Sequence, residues 1–443
     1  MTETIVDKYG GTSVSAPEDI TRIDNITRDD YRRQVIVVSA PAGVTQLLIE
    51  LAKDADPEKV SEVVNKFQTA HPGTADTNQI KKDLMHRLEC GLPSEEREDY
   101  IKSFGEYTNA RLIAQSLGYE FMDSADILQV TPRFGNAEIE PASRQKLRRA
   151  LKPGKVYIIP GFYGRTKDDR IATFSRGGSD LTGSYVAAAL DAVIYENFTD
   201  RPGVFTADPR EVPAAMKIPV LTFKEMRDLA YSGAKIFHPD AILPIEDRLD
   251  EGKAITVHVR SSKEYPVEGT FIVSERTSNP LQPVVGIAYG DAFCSFDIEM
   301  RGLNNMIGVT ARIAQIFAEL NLSIEHLTTG IDDLSVILKK DQLEKEVGQV
   351  SNVESRLKRL LGIRGYISFQ EHMGCLVVAG KGIKQCSTAI SRRMLHALEN
   401  AGVDTIFTEK GPSKSCIISG IPSKHKKRAM NAVHEEFFRN GCS

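Results

Sequence analysis

The chain has 443 residues, 41% hydrophobic and 26% charged, with a formal net charge of −4. At roughly 150 residues per domain this length suggests about three domains, and the composition suits a globular protein with a large core. The charge is spread without a basic stripe, which argues against a nucleic-acid partner, and no apolar run approaches the length of a membrane span.

In chain order, the opening MTETIVDKYGG lacks the basic and apolar regions of a signal peptide, so the mature protein is expected to begin there. Residues 5–8, 35–39, 156–160, 192–196 and 254–259 are short, β-branched runs of buried-strand type. Helical stretches lie between them, among them residues 104–117, which end at Gly118 where a C-cap glycine belongs. Strands alternating with helices predict an α/β domain around an open, mostly parallel sheet. Residues 262–283 carry three prolines and read as an irregular boundary. Beyond it, Val309, Ile313, Ile316, Phe317 and Leu320 form one helix face, and Ile390, Met394, Ala397, Leu398 and Ala401 repeat it at a constant offset of 81 (309 to 390, 320 to 401). A glycine (Gly330, Gly411) and a strand-like segment (334–338, 415–419) follow each helix. Two copies of a small α+β module are expected, giving domains at 1–282, 283–373 and 374–443. Cys90, Cys294, Cys375, Cys386, Cys416 and Cys442 are scattered without a C-x-x-C pair, the pattern of reduced thiols.

The chemistry-bearing residues cluster where strands end. The first strand runs into Gly10-Gly11-Thr12-Ser13, where glycines let backbone N–H groups approach phosphate oxygens and Lys8 adds a positive charge. It is not a P-loop, since no G-x-x-x-x-G-K-[ST] occurs, and a strand followed by Gly-Gly also reads as a simple turn. Ser175-Arg176-Gly177-Gly178-Ser179-Asp180 leads into a helical run at 181–190. Arg176 suits a carboxylate through two parallel hydrogen bonds, and Asp180 reads equally well as a helix N-terminal residue. Glu106, in Ser103-Phe104-Gly105-Glu106, fits a capping box, the role that spacing alone favours. Thr199-Asp200-Arg201-Pro202-Gly203-Val204-Phe205, continuing to Asp208-Pro209-Arg210, is a loop after a strand's carboxyl end, where open α/β sheets bind ligands. Gly233-Ala234-Lys235 is a weaker signal.

Together these pieces resemble the aspartate kinase (aspartokinase) family along the whole chain. Lys8-Tyr9-Gly10-Gly11-Thr12-Ser13 is similar to that family's K-F-G-G-T-S opening, with tyrosine for phenylalanine. Val37-Val38-Ser39-Ala40 with Thr45, Ser103-Phe104-Gly105-Glu106, Pro160-Gly161-Phe162, Arg176 to Asp180, Thr199-Asp200, Asp208-Pro209-Arg210 and Gly233-Ala234-Lys235 follow in the family's order. The resemblance implies an amino-acid-kinase-type sheet sandwiched by helices, followed by two ACT-like regulatory modules that pair into a homodimer or dimer of dimers. It implies phosphorylation of the β-carboxylate of L-aspartate by ATP with Mg²⁺, with no protein metal ligand assigned, as the first step towards lysine, threonine and methionine.

Mapped by motif, Lys8 stabilises the transferring phosphoryl group, Asp180 orients Lys8, and the Gly10-Gly11 backbone cradles phosphate. Arg176 takes the α-carboxylate of aspartate and Glu106 its ammonium group, with Ser39, Thr45, Phe162 and Ser179 shaping the pocket. Thr199, Asp200, Phe205, Arg210 and Lys235 hold the nucleotide, Phe205 standing where the family often has tyrosine. Leu303-Asn304-Asn305-Met306-Ile307-Gly308 stands at the family's effector loop, with Leu303 and Val309 in place of its usual methionine and phenylalanine. Glu325, in Ser323-Ile324-Glu325-His326 at the end of the next strand, is the expected partner for the ammonium group of lysine, acting alone or with threonine; a solvated strand-end charge is the alternative. Competing readings are a kinase of acetylglutamate, glutamate or carbamate, and a catalytically silent amino-acid sensor.

Overall fold

The computed structural model describes residues 3–175, 177–234, 239–344, 348–411 and 415–439. The chain divides into two compact units, residues 1–204, 217–227 and 236–277 forming the first and residues 205–216, 228–235 and 278–443 the second.

In the first unit the strands are β1 (Ile5–Tyr9), β2 (Arg33–Val38), β3 (Glu120–Phe121), β4 (Tyr157–Pro160), β5 (Tyr163–Arg165), β6 (Ile171–Thr173), β7 (Ile194–Thr199), β8 (Val220–Thr222), β9 (Thr256–Ser261) and β10 (Thr270–Val273). Eight of them form one sheet in the order β3-β4-β2-β1-β7-β9-β10-β8, with β5 and β6 a separate antiparallel pair. Neighbours in the large sheet are parallel except β9 and β10. Strands buried on both faces need apolar side chains on both, which is why Val35, Ile36, Val37 and Val38 run without alternation and are all buried.

Two differences from the sequence reading have local causes. The strand expected at 192–196 begins two residues later, at Ile194. The helix Gly178–Leu190 closes with Asp191 at φ +54 and the Ala192 N–H bonded back to the Ala187 carbonyl, which uses up the residues in between. The stretch 262–283, expected to be irregular, contains β10, which pairs with β9 through Phe271 opposite His258. The helix expected at 104–117 is present with the same ends, and Gly118 closes it at φ +68.

The central strands carry charge on both faces. Lys8 pairs in register with Asn197 and points one way, while Asp7 pairs with Glu196 and points the other. On the second face Arg33 bridges Asp7 (2.5 Å) and Glu196 (2.6 Å), and His258 and Arg260 also bond Glu196 (2.9 and 3.1 Å). Buried charges require such pairing, and this network ties β1, β2, β7 and β9 together.

The second unit contains β11 (Gly286–Glu299), β12 (His326–Thr329), β13 (Asp333–Lys339), β14 (Tyr366–Ala379), β15 (Phe407–Lys410) and β16 (Cys416–Pro422). They form an antiparallel sheet in the order β12-β13-β11-β14-β16-β15, a near-symmetric arrangement about the long strands β11 and β14. The helices Val309–Glu319 and Gln349–Leu361 pack on one core (Phe296, Ile313, Phe317, Val336, Leu357), and Ile383–Asn400 and Lys426–Phe438 on another (Leu376, Met394, Leu398, Ile417, Val433). Val284, Ile287 and Tyr289, where β11 begins, join the second of these cores.

Candidate active site

A cleft of about 600 Å³ opens where β1, β2 and β4 end, and Lys8, Gly11, Thr12, Ser39, Ala40, Thr45, Glu106, Phe162, Ser179 and Asp180 line it. This is the carboxyl side of a parallel sheet, where neighbouring strands feed loops into one crevice. Gly11 starts a single 3₁₀ turn after β1, and a Cβ on it would come within 2.8 Å of the Ala40 carbonyl oxygen. Only glycine lets these two loops approach so closely. The Gly10 N–H donates to the Phe198 carbonyl (3.2 Å), so the turn's inward face falls to Gly11 and Thr12.

Lys8 is buried, and its ammonium group lies 2.6 Å from the Asp180 carboxylate at the start of the helix Gly178–Leu190. Asn197 donates from Nδ2 to the same carboxylate at 2.9 Å. Asp180 thus holds the lysine from one side while β7 fixes the carboxylate from the other. Asn197 carries no motif of its own. Its alignment with Lys8 across two parallel strands is what brings it to the site.

Glu106 is 3% exposed, and burial raises its carboxyl from the ordinary 4.5 to about 8, against the opposing pull of the Ala40 amide, the Thr45 hydroxyl and Lys102. Its Oε2 is buried with no hydrogen-bond partner among the described residues. The capping role does not hold. Ser103, at the helix N-cap, makes no side-chain cap bond, and its Oγ instead donates to the Tyr100 carbonyl and accepts from Arg87. An unsatisfied carboxylate oxygen in a cleft is a vacancy for a donor on a ligand.

Phe162 forms part of the floor with φ +82, a conformation that strains a residue with a side chain. Its N–H donates to Thr182 Oγ1 (3.0 Å), its carbonyl accepts from the Phe174 N–H (2.9 Å), and Gly178 lies so close that a Cβ there would meet the ring at 2.6 Å. Lys102, at the end of the helix Ser94–Lys102, lines the same cleft and was not singled out from the sequence, where it looks like an ordinary helix-end cation.

Of the other expected residues, Thr199 and Asp200 do not line this cleft. Thr199 and Asp200 stand at the end of β7, where the Thr199 hydroxyl donates to the Asp200 carboxylate (3.0 Å). Phe205 and Arg210 belong to the second unit, and Arg210 pairs with Asp208 at 2.6 Å. Arg176 and Lys235 lie outside the described residues.

Of the effector candidates in the second unit, Leu303 and Val309 are core residues, Met306 is half-buried, and Gly308 precedes the helix Val309–Glu319 at φ +76. Glu325 lies just before β12 rather than at a strand's end, and its carboxylate accepts a hydrogen bond from the Tyr231 hydroxyl. Among the described residues no cluster of His, Cys, Asp or Glu is arranged to hold a metal ion, and no helix is long and apolar enough to cross a membrane.

The profile of the Amino acid kinase family matches residues 3–261. Aspartokinase 3 of Bacillus subtilis is 33% identical over 97% of this chain and 98% of its own length. The crystal structure of Clostridium acetobutylicum aspartate kinase superposes with a TM-score of 0.82 at 26% identity, covering 98% of this chain and all of that one. Escherichia coli aspartokinase III, in complex with lysine and aspartate, superposes with a TM-score of 0.76 at 25% identity over 99% of this chain and all of that one.

Proposed function

The chain belongs to the amino acid kinase family and, within it, to the aspartokinases, and from this premise we propose how its own residues carry out aspartate kinase chemistry. The reaction transfers the γ-phosphoryl group of ATP to the β-carboxylate of L-aspartate, giving 4-phospho-L-aspartate. The supporting observation is that Glu106 Oε2, buried with no hydrogen-bond partner among the described residues, shares a cleft with the Lys8–Asp180 pair, so that one cleft offers an acceptor for an ammonium group and a cation suited to a phosphoryl group.

The attacking carboxylate is already ionised at neutral pH, with a pKa of about 3.9, so no general base is required. The barrier comes from bringing an anion to an anionic phosphoryl group. Lys8 and the N–H groups of the Gly11 turn offset that repulsion and hold the groups in line, and Asp180 keeps Lys8 aimed. Glu106 takes the ammonium group and Arg176 the α-carboxylate, with Ser39, Thr45, Phe162 and Ser179 shaping the pocket. Thr199, Asp200, Phe205, Arg210 and Lys235 are assigned to the nucleotide. Mg²⁺ is assigned to the nucleotide's phosphates, since this ion is commonly carried by phosphate oxygens and water with few protein ligands. When bound, it neutralises phosphate charge.

The second unit is assigned a regulatory role, with 283–373 and 374–443 as two ACT-like modules through which the chain forms a homodimer or dimer of dimers. Lysine, alone or with threonine, is the proposed effector, and the relative from Escherichia coli solved with lysine supports that choice. A cytoplasmic location is proposed from the scattered free thiols. A coupled assay of ADP release with aspartate, glutamate, acetylglutamate and carbamate tests the reading. Turnover is expected with aspartate. Turnover only with another acceptor, or nucleotide binding without turnover, would overturn it.

A further inference from the structure

We propose that Lys102 joins Arg176 at the α-carboxylate of the acceptor, so that Lys102 and Glu106 both read the zwitterionic head of the amino acid. The inference rests on the assignment of this cleft to aspartate. Lys102 closes the helix Ser94–Lys102 and Glu106 lies in the first turn of the next helix, with Ser103 between them in right-handed helical geometry. The two side chains are therefore four residues apart along a nearly continuous helical path and face the same cleft, one cationic and one acidic. A free α-amino acid carries its ammonium and carboxylate groups on the same carbon, and a lysine and a glutamate one helical turn apart offer one partner for each.

The lysine is set in a built environment. Its side chain is 9% exposed, and its Nζ lies 2.9 Å from Asp99 and 3.2 Å from Glu98. The Phe162 ring lies on another side, 5.9 Å from ring centroid to Nζ. These two carboxylates are its ion-pair partners among the described residues, and an ammonium group has three donors, which leaves one for a ligand. The Asp99 carboxylate is itself held in place by further donors. It accepts from the Gly135 N–H (2.8 Å), the Thr173 N–H (2.7 Å) and the Thr173 hydroxyl (2.8 Å). Those bonds fix the carboxylate, and the carboxylate fixes the lysine.

β-Alanine is aspartate without its α-carboxylate, and it separates this role from a structural one. The dissociation constants of aspartate and β-alanine are measured on the full-length protein, wild type and Lys102→Met, by calorimetry. For Lys102→Met, aspartate should weaken by roughly ten- to a hundredfold, the usual range for loss of a charge-assisted hydrogen bond, while β-alanine binding stays unchanged. The KM for ATP should stay unchanged as well. Lys102→Gln, which still donates to Asp99 and Glu98 but carries no charge, serves as the second variant should the methionine protein not fold, and it should show the same selective loss. Equal weakening of both ligands, or unchanged aspartate binding in either variant, would overturn the proposal. Failure of the wild type to phosphorylate aspartate would instead strike at the functional reading, so the two failures remain distinct.

Discussion

Glu106 shows how burial turns an ordinary carboxylate into a pH-dependent reader of substrate. Its carboxyl is raised from 4.5 to about 8, chiefly because the charged form is removed from water. In the empty site below about pH 8 the group is protonated, and taking up an ammonium group requires it to release that proton. Aspartate affinity should therefore rise with pH, by up to about tenfold per unit as pH approaches 8, and level off above it. Glu106→Gln should raise the KM for aspartate, leave that for ATP unchanged, and flatten this pH profile. The sign for stability is opposite. The folded-state value lies above the unfolded one, so the contribution of Glu106 is fully present below about 4.5 and is lost as pH rises through about 8. The glutamine variant should consequently gain thermal stability relative to wild type at pH 9. A loss of stability with a normal aspartate KM would contradict the assignment of Glu106 to the substrate.

At the level of elements, the parallel strands were legible because β-branched runs such as Val35–Val38 need no partner to reveal them, and the helix Phe104–Leu117 because Gly118 marks its end. The start of β7 was not, because it depends on how the preceding helix closes at Asp191. β10 is hidden because only three residues of a stretch with three prolines pair with β9. In the cleft, the motifs mark Lys8, Asp180 and Phe162 as candidates. They do not mark Asn197 and Lys102, since the first acts through strand register and the second through a helix junction. The bond from Tyr231 to Glu325 was equally hidden, joining residues far apart in the chain. It predicts a property of the effector site. An ammonium group that pairs with the Glu325 oxygen held by Tyr231 competes with the tyrosine hydroxyl for it. Tyr231→Phe should then bind lysine more tightly, by roughly three- to tenfold, a typical net value for one such bond. Weaker or unchanged binding, by calorimetric titration, would mean that the effector does not compete with the Tyr231 hydroxyl at Glu325.

For the molecule as a whole, the repeat at an offset of 81 announced two similar modules (309 to 390, 320 to 401), and the near-symmetric sheet about β11 and β14 is its structural expression. Periodicity could not say which core each strand end would enter, as Val284, Ile287 and Tyr289 illustrate by packing with residues about a hundred positions later. Regulation through these modules requires an effector to bind the less active state more tightly, typically by about 1–3 kcal/mol, and saturating substrates must then weaken effector binding by the same factor. All of this presupposes phosphoryl transfer to a carboxylate, and that step leaves a chemical trace. An acyl phosphate is trapped by hydroxylamine as a hydroxamate, so the most direct measurement compares ATP-dependent hydroxamate formation from aspartate by the wild type and by Lys8→Ala. The wild type should form aspartyl β-hydroxamate, and the folded variant should form it about a hundredfold more slowly or worse, because it lacks the charge that meets the transferring group. Absence of hydroxamate with the wild type, or a near-normal rate in Lys8→Ala, would contradict it.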